Sequence, residues 1–177
     1  MLRVLVCLLS LLLAPSVMAN MDAVRALYLQ AIDSKAGAEA LEAALQGPEV
    51  ANSPLLQGYL GTAKTLQAQH AFNPYTKYQL FCEGRNLLEA AIASSPDNAE
   101  LRYLRFTIQE NAPGFLGYNS NLQADKAAIF DFLAKADGNT GIFVMMRATM
   151  LASDVCTNAE KDALSAALPT THNAGKY

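Results

Sequence analysis

A group of polar side chains at helical spacing is the part of this sequence best suited to chemistry. Arg102, Arg105 and Gln109 are separated by three and four positions, so they lie on one face of a helix. Arginine guanidinium groups bind carboxylates through paired hydrogen bonds. The sequence therefore predicts a groove that holds a carboxylate or a peptide end beside the loop that follows. The candidate binding residues are Arg102, Arg105, Gln109, Glu110, Phe115, Tyr118 and Asn119.

The same side chains also have a structural interpretation, which the sequence favours. The loop over residues 112–120 contains two glycines and a proline, and its backbone polar groups need partners. The arginines and Gln109 would then bond to that backbone and to Glu83, Glu110 or Asp125. In this interpretation the polar group holds an unusual loop in place and binds no ligand.

The apolar residues of the loop have two interpretations as well. Phe115, Leu116 and Tyr118 would either fold back as a plug between helices or form an exposed patch for a partner. The plug is favoured because such residues are usually buried.

No catalytic motif is evident. The sequence has no glycine-rich phosphate loop, no paired-cysteine metal spacing and no His-Glu-x-x-His motif. Nucleophilic catalysis needs a base beside serine or cysteine, and the two histidines are His70, near a helix end, and His172, in the tail. For His70 a helix-end dipole contact or a partly buried contact is favoured. We therefore predict no enzyme, no catalytic residue, no metal and no cofactor.

Two cysteines follow the N-terminal segment, and they leave two possibilities open. Cys82 and Cys156 would form a disulfide in an oxidising compartment, stabilising the fold by on the order of 4 kcal/mol in the chain-entropy model. The favoured alternative is a pair of buried free thiols that pack as small apolar side chains.

The N-terminus has the pattern of a secretory leader. A charged start precedes the apolar run 4–14, and small residues end at Ala19, which predicts a signal peptide over residues 1–19. An uncleaved anchor would need ~20 continuous apolar residues, and Pro15 and Asn20 interrupt the run. The product is predicted to be exported, periplasmic or extracellular, with no membrane span after cleavage.

The remaining chain has the size of one domain. Removal of 19 of the 177 residues leaves 158, enough for a single helical domain over residues 20–169 with a sizeable core. Residues 170–177 are predicted to form a flexible tail. Without the arginine of the leader, 12 basic and 16 acidic residues give a net charge of −4. This mild acidity, with no basic cluster, argues against nucleic acid or an anionic membrane surface as a partner.

Apolar spacing of three and four, together with capping signals, predicts seven or eight helices joined by short turns. No stretch shows the alternation typical of strands, so the predicted fold is all-α. Gly37 is predicted to break the first helix, Gly61 to mark a close helix contact, and Asp97 to open a capping box with Glu100. Another cap is predicted at Ser120, before Gln123, and a third at Thr157, as a capping box with Glu160. The predicted helices cover residues 21–34, 38–46, 54–72, 76–94, 99–111, 120–136, 140–153, which is expected to be the most buried, and 157–168.

Part of the sequence resembles tetratricopeptide repeats. Residues 87–100, LLEAAIASSPDNAE, resemble the end of one repeat and the start of the next, and residues 59–61 resemble the leucine–glycine pair of a first helix. Pro96 follows Gly61 by 35 positions, about ten more than a ~34-residue repeat allows. An enlarged turn around Asn73–Tyr78 is therefore expected. The resemblance implies antiparallel helical hairpins stacked as a short, degenerate tetratricopeptide-like array.

Residues 101–121, together with residues 73–75, also resemble a signature of small exported bacterial proteins of unknown function. That resemblance implies a fold and a compartment but no mechanism. Helical-hairpin stacks present concave surfaces that bind peptides or protein segments. We therefore predict a non-catalytic interaction module, adaptor or structural, with a protein or peptide partner in the cell envelope. The alternative is a small-ligand-binding protein or enzyme that uses Arg102, Arg105, Glu110 and Tyr118.

Overall fold

The described part of the chain is entirely helical. A computed structural model describes residues 20–136, 138 and 140–166, so the predicted leader and the predicted tail lie outside the described residues. Within these ranges there are eight α-helices and no strand, which confirms the all-α prediction. The helices are α1 (Met21–Asp33), α2 (Lys35–Ala44), α3 (Pro54–His70), α4 (Pro74–Ser94), α5 (Ala99–Asn111), α6 (Leu122–Lys135), α7 (Gly141–Ala152) and α8 (Asn158–Ala166).

Side-chain caps fix where most of these helices begin. Asn73 precedes α4, and its Oδ1 accepts the first free backbone N–H groups of that helix. The capping box predicted before α8 is confirmed: the Thr157 N–H donates to Glu160 Oε2 at 2.8 Å, and the Glu160 N–H donates to Thr157 Oγ1 at 3.3 Å. Each cap satisfies backbone donors that a helix start would otherwise leave unpaired.

The capping box predicted before α5 is wrong. Asn98, not Asp97, is the N-cap, and its Oδ1 accepts the N–H groups of Glu100 and Leu101. The Glu100 carboxylate does not bond back to the cap, because it is buried and paired elsewhere in the bundle.

The predicted helix break at Gly37 is also wrong. The chain turns at Ser34, which ends α1 and whose side-chain oxygen accepts the Gly37 N–H at the start of α2. Gly37 lies inside α2, and a Cβ there would overlap the carbonyl of Gln30 in α1. The glycine therefore permits close contact between the two helices and does not end either of them.

Helices α3 and α4 form the most extensive hairpin, and a pair of glycines lies at their crossing. A Cβ on Gly61 would lie 2.6 Å from the Gly84 carbonyl oxygen, and one on Gly84 would overlap the Gly61 carbonyl. The predicted close contact at Gly61 is confirmed. The predicted enlarged turn around Asn73–Tyr78 is wrong, because only three residues separate α3 from α4. The extra length lies in the helices themselves, which have 17 and 21 residues.

Helix α5 is the centre of the bundle. It packs against α3, α4 and α6, and eight of its 13 residues are buried. The prediction that α7 is the most buried helix is wrong. Only four of its 12 residues are buried, and Val144 is 58% exposed. Helix α7 packs chiefly on α6 and α8 at the periphery, and its apolar composition did not reveal that position. In the described ranges, none of the helices is both long enough and apolar enough to cross a membrane.

Candidate functional site

The predicted arginine face is largely an internal ion-pair network. Arg105, buried on α5, donates from Nε and Nη2 to the two carboxylate oxygens of Asp125 on α6, at 2.7 and 2.8 Å. Its Nη1 donates to Glu89 on α4 at 2.8 Å. Burial alone would lower the pKa of Arg105, but the hydrogen bonds and charge of Asp125, with the charge of Glu89, outweigh burial and raise that pKa. Arg105 therefore links three helices, and Asp125 is the one partner that the structural interpretation predicted for it.

Arg102 is also used within the protein. Its Nε donates to the Pro96 carbonyl at 2.7 Å, and its Nη1 reaches Asp125 at 3.4 Å. An open groove of about 630 Å³ runs beside it between α5 and α6. The Nε and Nη1 donors of Arg102 are therefore used within the protein, and no hydrogen bond of its Nη2 is present among the described residues.

The other members of the predicted site are dispersed. Glu110 accepts the Ser153 hydroxyl at 2.5 Å, and neither arginine bonds to it. Gln109 is 3% exposed, and its amide has no hydrogen-bond partner among the described residues. Glu83, proposed as an arginine partner, instead pairs with Lys64 at 3.2 Å.

The loop over residues 112–120, between α5 and α6, which we call the aromatic loop, fits each of the two interpretations in part. Tyr118 folds back: its hydroxyl donates to Glu89 at 2.5 Å, and its ring meets Phe81 edge-on at 5.8 Å. Phe115 does not, since it is 88% exposed. Asn119 is exposed as well. The plug prediction therefore holds for Tyr118 and for Leu116, which is partly buried against the core, and fails for Phe115.

The loop backbone is satisfied by its own turns and not by the arginines. The Leu116 N–H donates to the Pro113 carbonyl at 2.9 Å, and the Gly117 N–H donates to the Gly114 carbonyl at 3.1 Å. Gly117 has a φ of 60°, in the left-handed region that glycine adopts without strain. The prediction that the arginines bond to this backbone is therefore wrong.

A second concavity, which the sequence analysis missed, is the stronger candidate site. A cleft of about 590 Å³ is lined by residues of α1, α3, α4, α5, the aromatic loop and α7. It opens where α3 ends, α4 begins and α5 ends. A volume of this size lies within the ~300–1,000 Å³ range of ligand pockets.

The threonines that line the cleft have no free hydroxyl proton. Each donates to a backbone carbonyl three or four residues earlier in its own helix, at 2.8–3.1 Å. These residues are Thr62, Thr65, Thr107 and Thr149.

Two of the three tyrosines that line the cleft also have paired hydroxyls. Tyr28 lies 3.2 Å from Thr107 Oγ1, and Tyr103 lies 3.0 Å from Thr149 Oγ1. Since each threonine hydroxyl also donates to a helix carbonyl, donation by the tyrosine satisfies both members of each pair. Burial raises the pKa of Tyr28 and of Tyr103, so both stay protonated at neutral pH. The hydroxyls of Tyr28 and Tyr103 are therefore paired within the protein, whereas Tyr78, Lys77, Gln69 and Asn111 also line the cleft and carry further donors.

Beneath the cleft lies a buried polar centre that sequence reasoning also missed. Glu100 receives two hydrogen bonds from Arg25 of α1, both at 2.8 Å, and a third from the Tyr59 hydroxyl at 2.6 Å. Tyr28 packs edge-on to Tyr59 at 5.8 Å and to Tyr103 at 6.3 Å. We call Tyr28, Tyr59 and Tyr103 the tyrosine cluster. One signal was available, since Glu100 precedes Tyr103 by three positions and so shares its buried helix face.

The mouth of the cleft carries exposed apolar side chains, which we call the rim. Three of these side chains line the cleft. The other two, Phe72 and Tyr75, lie at the α3–α4 connection and extend the apolar surface beyond the cleft. Their exposed fractions run from 40% to 102%. Exposed apolar side chains grouped around a concavity are typical of an interaction site. The rim consists of Ile32, Phe72, Tyr75, Tyr78 and Phe115.

The candidate reactive groups are arranged for structure. Cys82 and Cys156 are free thiols, and burial raises the pKa of Cys156, which opposes thiolate formation. His70 is the last residue of α3, as its predicted helix-end role requires, and its Nε2 is buried without a partner among the described residues. In the described ranges, no three histidine, cysteine or acidic side chains converge as metal ligands would.

No family model, curated protein or solved structure matches this chain. The likenesses to tetratricopeptide repeats and to small exported bacterial proteins therefore stay predictions from the sequence.

Proposed function

We propose that this chain is a non-catalytic helical module of the cell envelope that binds a protein or peptide through the cleft and its rim. The observation that carries the proposal is the continuity of an apolar cleft with exposed aromatic side chains around its mouth. The leader-like N-terminus supports export, and the resemblance to helical-hairpin repeats supports an interaction role.

The extent of the rim favours a protein over a small molecule. Phe72 is fully exposed and Tyr75 is 69% exposed, and neither lines the cleft. A small ligand inside the cleft would leave both uncovered. A partner with its own apolar surface would cover them, and burial of that area would contribute to affinity at roughly 25 cal/mol per Å² before the costs of association.

The test is capture from envelope extract by the immobilised mature chain, residues 20–177, followed by a binding measurement with the purified partner. The informative variant is Phe72→Ser with Phe115→Ser. The matched control is Val144→Ser, because Val144 is an exposed apolar residue outside the cleft. The expected result is a partner that binds wild type and the control but not the rim variant. Equal binding by all three folded proteins would contradict the proposal.

A small-ligand-binding protein is the second candidate, and the volume of the cleft is the observation that favours it. The arginine cluster considered for this role from the sequence is bonded internally, so the cleft is the better location. Native mass spectrometry of the protein purified from its own host would reveal a retained ligand. Loss of that ligand on Leu66→Phe, which places a bulkier side chain at a partly buried position of the cleft wall, would support this candidate over the first.

A further inference from the structure

We propose that the group entering the cleft is an aliphatic or phenylalanine side chain of a partner peptide, and that an acidic residue beside it contacts Lys77. This inference rests on the proposed function and specifies its ligand.

The inner wall disfavours side chains with hydrogen-bond acceptors, because its hydroxyls are paired within the protein. The Tyr28 and Tyr103 hydroxyls pair with threonine hydroxyls, and those threonines donate to their own helix backbones. A carboxylate or amide oxygen moved from water into this space would therefore find no hydroxyl proton to replace those of water. Burying an unpaired polar group is unfavourable, whereas burying an apolar side chain is favourable.

The same accounting keeps the peptide backbone outside the cleft. Backbone carbonyl groups also need donors when they leave water. A single side chain can enter while the backbone remains at the mouth, where water is available. The aromatic side chains of the rim then pack against the residues on either side of this anchor.

A positive charge at the mouth of the cleft indicates which residue lies beside the anchor, the partner side chain that enters the cleft. Lys77, in the second turn of α4, lines the cleft, is exposed, and forms no ion pair with any other described residue. Glu110 also borders the cleft, but its Oε1 already accepts the Ser153 hydroxyl. Lys77 is thus available to a carboxylate of the partner, and such a contact between exposed charges weakens with salt.

The experiment is selection of peptides from a random displayed library on the immobilised mature chain, with calorimetry on the selected peptides. We expect an apolar anchor with aspartate or glutamate within a few positions. Replacing a leucine anchor by asparagine, which has a similar volume, should weaken binding by about tenfold or more. Lys77→Glu should weaken binding of the acidic peptide and strengthen binding of the same peptide with lysine in place of its acid. Lys35→Glu, an equal charge change on α2, should do neither.

The outcomes separate the two proposals. If no peptide is selected, or selected peptides bind the rim variant Phe72→Ser with Phe115→Ser as well as wild type, the proposed function fails and this inference fails with it. If binding requires the rim but the anchors are polar, or Lys77→Glu changes nothing, only this inference is overturned. If fatty acids bind in the cleft and peptides do not, both are overturned in favour of a small-ligand site.

Discussion

Removal of the Asp125 charge should destabilise the protein strongly, because Arg105 would keep its charge in a buried position. Asp125 is fully buried, and the Arg105 side chain is 6% exposed. Breaking a buried pair by removing one partner costs about 3–5 kcal/mol. Glu89 remains to interact with Arg105, and its side chain is 39% exposed. We therefore expect Asp125→Asn to cost about 3 kcal/mol, the lower end of that range.

The assay is urea denaturation of the chain over residues 20–177, followed by circular dichroism, with thermal unfolding as a second measurement. For a domain of this size, a loss of about 3 kcal/mol corresponds to a decrease in Tm of roughly 6–12 °C. The matched control is Asp131→Asn on the same helix. Asp131 pairs with Lys135 across one turn, but both side chains are largely exposed, so this change should cost no more than about 0.5 kcal/mol.

A double variant separates loss of the pair from burial of an uncompensated charge. Arg105→Met with Asp125→Leu removes both charges and keeps apolar volume in the core. Since replacing a whole buried pair by apolar residues is often neutral or stabilising, this variant should be more stable than Asp125→Asn. The reasoning is refuted if Asp125→Asn unfolds at the same urea concentration as Asp131→Asn. It is also refuted if the double variant is the less stable of the two.

Three further predictions concern the packing, capping and titration of the bundle. Gly61→Ala should cost about 1–3 kcal/mol in unfolding free energy, because the added methyl group overpacks the α3–α4 crossing, whereas Gly114→Ala, with open space around it, should change denaturation by less than about 0.5 kcal/mol. Asn98→Ala should lower the free energy of unfolding by about 1 kcal/mol, because the N-cap of α5 is lost. An equal loss on Asp97→Ala would contradict the assignment of the cap to Asn98. Burial raises the pKa of every member of the tyrosine cluster, so the stability that these residues contribute is complete below their unfolded pKa of about 10 and is lost as pH rises beyond it. The part of the tyrosinate absorbance that belongs to the cluster should therefore appear in alkali together with the loss of helical circular dichroism, and full tyrosine ionisation with the helices intact would contradict this.

The sequence predicts the helices well because local signals encode them. The spacing of apolar residues and the side-chain oxygens before each first turn are properties of short segments. The box at Thr157 is recognisable from four consecutive residues. Errors arose where two local signals competed: Asp97 and Asn98 are both good caps, and only the fold decides between them. The sequence predicts a helix break at Gly37 because the residues next to it do not reveal its close contact with α1.

The candidate site could be predicted only in part, because its walls come from distant segments. The pairing of Arg105 with Asp125 could be predicted, because the two residues carry opposite charges and lie on consecutive helices joined by a short loop. The cleft was not, because its threonines look like ordinary helix residues until their hydroxyls are traced to carbonyls. Glu100 was assigned to a cap because its partner Arg25 lies 75 positions away.

The link between α1 and α5 also determines how far the chain can be shortened. In a linear repeat array each unit contacts only its neighbours, so a terminal unit can be removed while the others remain folded. Here α1 also contacts α5, which follows the α3–α4 hairpin in the chain: Arg25 pairs with Glu100, and Tyr28 packs against Tyr103. A fragment that begins after α1 would retain a buried carboxylate without its counter-charge and a vacancy beside the tyrosines. The first helix is therefore part of the same cooperative unit as the fifth, and the smallest autonomous form of this protein must include it.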